Sequence, residues 1–115
     1  MEGFTTQQIG QHTIIEFQSA SLMDPQTLDE MSARLYRLID LEDHRMIVLD
    51  FSKVEYISSQ FIGILMMMQK KLAKLPKSKL VLCSVGSRLS GLLRITKLDK
   101  ILPVHSTHEE AIREH

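Results

Sequence analysis

The stretch that decides the reading is Val48-Leu49-Asp50-Phe51-Ser52-Lys53-Val54-Glu55-Tyr56-Ile57-Ser58-Ser59-Gln60-Phe61-Ile62-Gly63-Ile64-Leu65. Met46 to Phe51 is apolar apart from Asp50, a run short enough to be a buried strand. From Phe61 the apolar positions take up helical spacing, at Phe61, Leu65, Met68, Leu72 and Leu75. Between the two runs lie adjacent hydroxyls, Ser58 and Ser59. A hydroxyl at such a junction can accept a hydrogen bond from the free N–H groups of the first helical turn. The same N–H groups and the positive end of the helix dipole favour a phosphate. The stretch therefore predicts strand, turn and helix, with a serine that is exposed and can be modified.

Outward from this stretch the punctuation continues. Phe4 to Ile9 and His12 to Gln18 are strand candidates around Gly10. Asp24-Pro25 predicts a helix start, with Asp24 as N-cap and Pro25 first in the helix, which runs to Asp40. Its apolar stripe is Leu28, Met31, Leu35 and Leu38. The central strand spans Arg45 to Phe51, and the second helix runs from Gln60 to Leu75, stopping before Pro76. Lys79 to Ser84 is the next strand, and Ser87 is placed to cap a third helix bearing Leu89, Leu92 and Leu93. Ile101 to Val104 reads as a short edge strand, where Pro103 is tolerable. Thr107-His108-Glu109-Glu110 has the pattern of a capping box for a last helix. Strands alternating with helices imply parallel pairing and right-handed crossovers, with the first two strands as a hairpin-like edge. The expected fold class is α/β: a mixed, mostly parallel sheet with about four helices packed on one side. Its core should hold Ile15, Phe17, Leu35, Leu38, Ile47, Leu49, Ile62, Leu65, Leu80, Leu82, Leu93 and Leu98.

The chain has 115 residues, near the usual size of one core, and residues 1–115 are expected to form a single domain. Basic and acidic residues number 14 each, so the formal charge is zero. That argues against nucleic acid as a partner, which requires a basic face. Lys70, Lys71, Lys74, Lys77 and Lys79 lie close together, either as a local patch or as solvated charges that suit a helix C-terminus. The single cysteine, Cys83, sits in an apolar strand, as a small buried residue or, less simply, as a reactive thiol. One thiol makes no internal disulfide, the N-terminus has no basic start followed by an apolar run, and no stretch reaches the ~20 apolar residues of a membrane span. A cytoplasmic protein is expected.

Three further blocks accompany the opening stretch: Ser21-Leu22-Met23-Asp24; Lys79-Leu80-Val81-Leu82-Cys83-Ser84-Val85; and Leu92-Leu93-Arg94-Ile95-Thr96-Lys97-Leu98-Asp99-Lys100-Ile101-Leu102-Pro103-Val104. Together with Glu109-Glu110-Ala111-Ile112 they resemble, in order and spacing, the STAS domain family of anti-sigma factor antagonists. That family has a strand ending in Asp-(Leu/Phe)-Ser, then Asp-Ser-(Ser/Thr)-Gly-Leu-Gly opening a helix. Asp50-Phe51-Ser52 matches the first part, and Ile62-Gly63-Ile64-Leu65 follows the second. Ser59 falls on the family's phosphorylated serine. Ser58 stands where the family has Asp, Gln60 where it has Ser or Thr, and Phe61 where it has Gly.

The resemblance implies a non-enzymatic module that binds an anti-sigma factor, often a serine kinase, and is switched off by phosphorylation of Ser59. A serine phosphatase would restore it. Ser58, Ser59, Gln60, Phe61 and Gly63 would form the partner-binding site. Ser59 also has the plainer reading of a helix cap. Phe61 is either core or contact surface, and the family's glycine there favours partial exposure. Met66, Met67 and Met68 cover most of a helical turn, so at least one should be exposed or meet another chain. Within the same fold, a non-phosphorylated scaffold, stressosome-like or accessory to transport, is the alternative. A small nucleotide-hydrolysing enzyme is the reading from another class. The residues offer little for catalysis: there is no Gly-x-Ser-x-Gly elbow and no phosphate-binding Gly-x4-Gly-Lys-Ser/Thr. Of the histidines His12, His44, His105, His108 and His115, only His105 and His108 are spaced like metal ligands, with no third ligand nearby in sequence. No metal or cofactor is expected, and the oligomeric state is open.

Overall fold

The computed structural model describes residues 3–114; His115 and the side chain of residue 114 lie outside the described residues, as do residues 1 and 2. β1 (Phe4–Ile9) and β2 (His12–Phe17) form an antiparallel hairpin that pairs Phe4 with Phe17 and Ile9 with His12. Gly10 makes the turn at φ +61°, where glycine carries no Cβ penalty. α1 (Pro25–Asp40) follows. The Asp24 carboxylate accepts from the Thr27 amide at 2.9 Å, and Pro25 opens the helix with the φ that proline already prefers.

β4 (Met46–Asp50) pairs in parallel with β2 on one side and with β6 (Lys79–Cys83) on the other. α2 (Ser59–Ala73) connects β4 to β6, and α3 (Ser87–Ile95) leads from β6 to β7 (Val104–His105). The sheet order is β1-β2-β4-β6-β7. A second, miniature sheet joins β3 (Ser21–Leu22) to β5 (Tyr56–Ile57) in parallel. The capping pattern at Thr107 opens α4 (His108–Glu114), with the Thr107 hydroxyl accepting from the Glu110 amide at 3.1 Å.

The register sorts the side chains. Ile15, Leu49 and Leu82 lie abreast on one sheet face, beside Ile47 and Leu80. There they meet Leu28, Met31, Leu35 and Ile39 of α1, Phe61, Leu65, Met68 and Leu72 of α2, and Leu89 and Leu93 of α3. Ten of the twelve expected core residues are buried; Leu38 and Ile62 are partly buried and pack against that core.

Three expectations are corrected. The helices do not all lie on one side. Ile14, Val48, Val81 and Cys83 form a second apolar face, and Ala111 and Ile112 of α4 cover it. The strands β4 and β6 are apolar on both faces, as parallel strands usually are, so each face needs a helix. The last strand is also shorter and later than expected, because Lys97 takes φ +62° and Leu98–Lys100 coils into a 3-10 turn. Ser87 begins α3 rather than capping it; the N-cap is Gly86, with no side-chain bond.

Candidate functional site

The start of α2 lies just beyond the carboxyl end of β4. The connection is held by three backbone hydrogen bonds to the segment that precedes α1. The amides of Glu55 and Tyr56 both donate to the Ala20 carbonyl, at 2.8 and 3.0 Å, and the Ser58 amide donates to the Leu22 carbonyl at 3.2 Å. The chain enters the helix at Ser58 in an extended conformation (φ −98°, ψ 168°), and its hydroxyl accepts from the Phe61 amide at 3.3 Å. Ser58 is therefore the N-cap, and the capping function is filled one residue before Ser59.

Ser59 is the first residue of α2 and is exposed, and its hydroxyl has no hydrogen-bond partner among the described residues. The first turn carries no acidic side chain, so the positive end of the helix dipole is left uncompensated by the helix itself. Gly63, one turn on, is exposed, and a Cβ built there meets nothing within 4 Å. Met66 and Met67 continue the exposed face at 40% and 41%, whereas Met68 is fully buried.

Gln60 turns the other way. Its carboxamide donates to the Asp29 carboxylate at 2.8 Å and reaches the Pro25 carbonyl at 3.4 Å, fastening α2 to α1. Phe61 is not at the surface. Its ring is 0% exposed and stands edge-on to Phe17, with centroids 5.4 Å apart, and to Phe51 at 6.0 Å. The expectation of partial exposure is thus overturned. An aromatic ring at the third residue of a helix that lies on a sheet can point down into the layer, where it meets Phe17 and Phe51.

The site brings together Ser58, Ser59 and Gly63 at the surface, turns the half-buried Gln60 toward α1, and buries Phe61 in the core. Two exposed residues outside the expected set flank it. Met23 follows β3 and is 48% exposed; Tyr56 of β5 is 46% exposed, with the Arg88 guanidinium 4.8 Å from its ring centre. A large apolar residue between a strand and an N-cap, as Met23 is in Leu22-Met23-Asp24, was the signal available for the first. Tyr56 carried none, because β5 is too short to show a period.

The remaining chemistry-bearing groups are engaged elsewhere. His105 contacts Glu110 at 3.3 Å and His108 contacts Glu109 at 2.8 Å, so the two histidines face different carboxylates. Among the described residues no group of three or more His, Cys, Asp or Glu is placed to hold a metal ion. Burial, with the Asp50 charge adding to it, pushes the Cys83 thiol up to about 12, which leaves it a poor nucleophile near neutrality. No helix among the described residues is long and apolar enough to cross a membrane.

A family model described as the STAS domain matches residues 4–111. Among solved structures, an anti-sigma-factor antagonist (STAS) domain protein from Planctomyces limnophilus is similar over 99% of this chain and 98% of its own, at TM-score 0.87 and 22% identity. The Bacillus cell fate determinant SpoIIAA in its phosphorylated form is similar over 96% and 97%, at TM-score 0.74 and 16% identity. A sulfate transporter family protein from Wolinella succinogenes is similar over 92% and 85%, at TM-score 0.73 and 20% identity. At these identities the structural likeness speaks for the fold.

Proposed function

Because the chain belongs to the STAS domain family, we propose that it is a non-enzymatic switch module of the anti-sigma factor antagonist type, regulated at Ser59. In this reading the unmodified protein binds an anti-sigma factor that is itself a serine kinase. Phosphorylation of Ser59 ends the interaction, and a serine phosphatase restores it, in the cytoplasm.

One observation carries the reading: Ser58 does the capping, and the Ser59 hydroxyl is left exposed and unbonded on the first turn of α2. A serine needed only to close the helix would have its oxygen on the helix amides. A phosphate at Ser59 would bring roughly two negative charges to the centre of this surface. The helix dipole would stabilise the modified state, while a partner shaped for the neutral surface would be repelled. The contact face would be Ser58, Ser59 and Gly63, with Met66, Met67, Met23 and Tyr56 around them as adaptable apolar area.

A second reading rests on Ser58. The family's Asp beside the phosphoacceptor is here a serine, so the charge that accompanies that position is missing. A scaffold or transport-accessory module that is never phosphorylated fits that substitution. Mass spectrometry of the protein recovered from its source cell, with its bound partner, separates the two. Phosphate on Ser59 and a captured serine kinase support the switch. Unmodified Ser59 under every growth condition, with a partner of another kind, supports the scaffold.

A further inference from the structure

The five-stranded sheet has two edges, and they are not alike. The β7 edge is only two residues long and follows Pro103, the two devices that commonly keep an edge from recruiting another strand. The β1 edge has neither. It is six residues, Phe-Thr-Thr-Gln-Gln-Ile, with no charge, proline or glycine. Thr5, Thr6, Gln7 and Gln8 are all exposed.

The hydrogen-bonding direction along β1 follows from one bond. The Gln18 amide donates to the Gly3 carbonyl at 2.9 Å, so in the register that pairs Phe4 with Phe17 the backbones of Thr5, Gln7 and Ile9 turn toward β2. The N–H and C=O groups of Phe4, Thr6 and Gln8 then point away from the sheet. The Gln8 side chain does not cover them. Its amide donates to the Gly10 carbonyl at 3.1 Å and its carbonyl accepts from the Thr13 hydroxyl at 2.9 Å.

We infer that β1 pairs with β1 of a second copy of this chain, antiparallel about a two-fold axis at Thr6, to make one continuous sheet. The strand is self-complementary in that arrangement. Thr6 faces its own counterpart, a favourable cross-strand pair, and Phe4 faces Gln8. No like charges meet, and a chain of zero formal charge has no net repulsion to overcome. β2 stands between β1 and β4, the strand that leads to Ser59, so the pairing leaves the Ser59 surface of both copies open. The contact is a single strand pair, far smaller than the interface of a permanent dimer, so the association is weak and reversible. It does not depend on the switch reading.

Sedimentation velocity over a concentration series, together with amide hydrogen exchange of the unaltered chain, tests this. The expected result is a monomer–dimer equilibrium in which the amides of Phe4, Thr6 and Gln8 become protected as concentration rises. Thr6→Lys and Thr6→Pro should each weaken association about tenfold or more with little change in melting temperature, because the Thr6 N–H is unused in the monomer. Val104→Lys, on the opposite edge, should leave association unchanged. A chain that stays monomeric to about 1 mM overturns the inference. So does a dimer that forms without protecting those amides, or one that Val104→Lys abolishes. The exchange measurement needs no variant, so poor folding of either Thr6 substitution would not blur the answer.

Discussion

Ser58 and Phe61 are joined by a hydrogen bond of 3.3 Å from the Phe61 amide to the Ser58 hydroxyl, so the residue that closes α2 also holds the backbone of a core aromatic. Ser58→Ala should cost about 1 kcal/mol of stability, the usual cost of a lost N-cap. Ser59→Ala should stay within about 0.5 kcal/mol, as exposed substitutions away from such features do. Urea unfolding of both variants decides it; the reverse order would assign the cap to Ser59 and withdraw the free hydroxyl on which the switch depends.

Charge at position 59 should matter far more than the hydroxyl itself. With the partner in hand, Ser59→Asp should weaken binding strongly and Ser59→Ala only slightly, since only the former mimics part of the phosphate's charge. Calorimetric titration provides the comparison. Equal affinities would remove charge as the basis of switching.

Phe61→Ala should cost roughly 3–5 kcal/mol of folding stability, because it empties a slot between Phe17 and Phe51 that the backbone cannot close. Partner affinity, measured per folded molecule, should change little. A stable variant with lost binding would mean that the ring leaves the core in the complex.

Cys83 should give the stability curve a high-pH slope. Its thiol ionises near 8.5 in the unfolded chain and is pushed up to about 12 in the fold. The folded state thus holds the proton more tightly. The contribution is complete below the unfolded value and declines as pH rises from there toward the folded value. Denaturant unfolding between pH 8 and 11 should show that decline in the native chain and less of it in Cys83→Ala. Thiol reagents should label Cys83 at a rate set by unfolding. Rapid labelling of the folded protein at pH 7 would contradict the burial argument.

Melting temperature should not respond to a chelator or to added ATP, because a ligand that binds the folded state raises it by mass action. A marked shift with either would reveal a bound group and reopen the enzyme reading.

The order of elements was legible because most of them carry their own signals. α1 begins and ends where Asp24-Pro25 and its apolar stripe place it, and β6 is explained by a short apolar run ending near a turn. The opposite placement of α4 was also written in the chain: Ile47-Val48-Leu49 and Leu80-Val81-Leu82 are apolar at every position, which requires cover on both faces. Phe61 shows two signals in conflict. Its helical spacing with Leu65, Met68 and Leu72 puts it in the core, whereas a glycine at the corresponding position of the family suggests a surface turn. The spacing is the physical statement about this chain, and it is the one that holds. The β3–β5 pair and the flanking role of Tyr56 were not legible, because two-residue strands have no period and their pairing depends on segments more than thirty residues apart.

The β3–β5 pair also bears on how position 59 could work. Because Ala20 and Leu22 hold Glu55, Tyr56 and Ser58 by their amides, the doorstep of α2 is braced against the chain that precedes α1. Such a mount leaves little slack for a hinge. A modification at Ser59 would then behave as a stamp on a fixed plate: outline and backbone stay the same, and what changes is the electrical label that a visiting molecule reads.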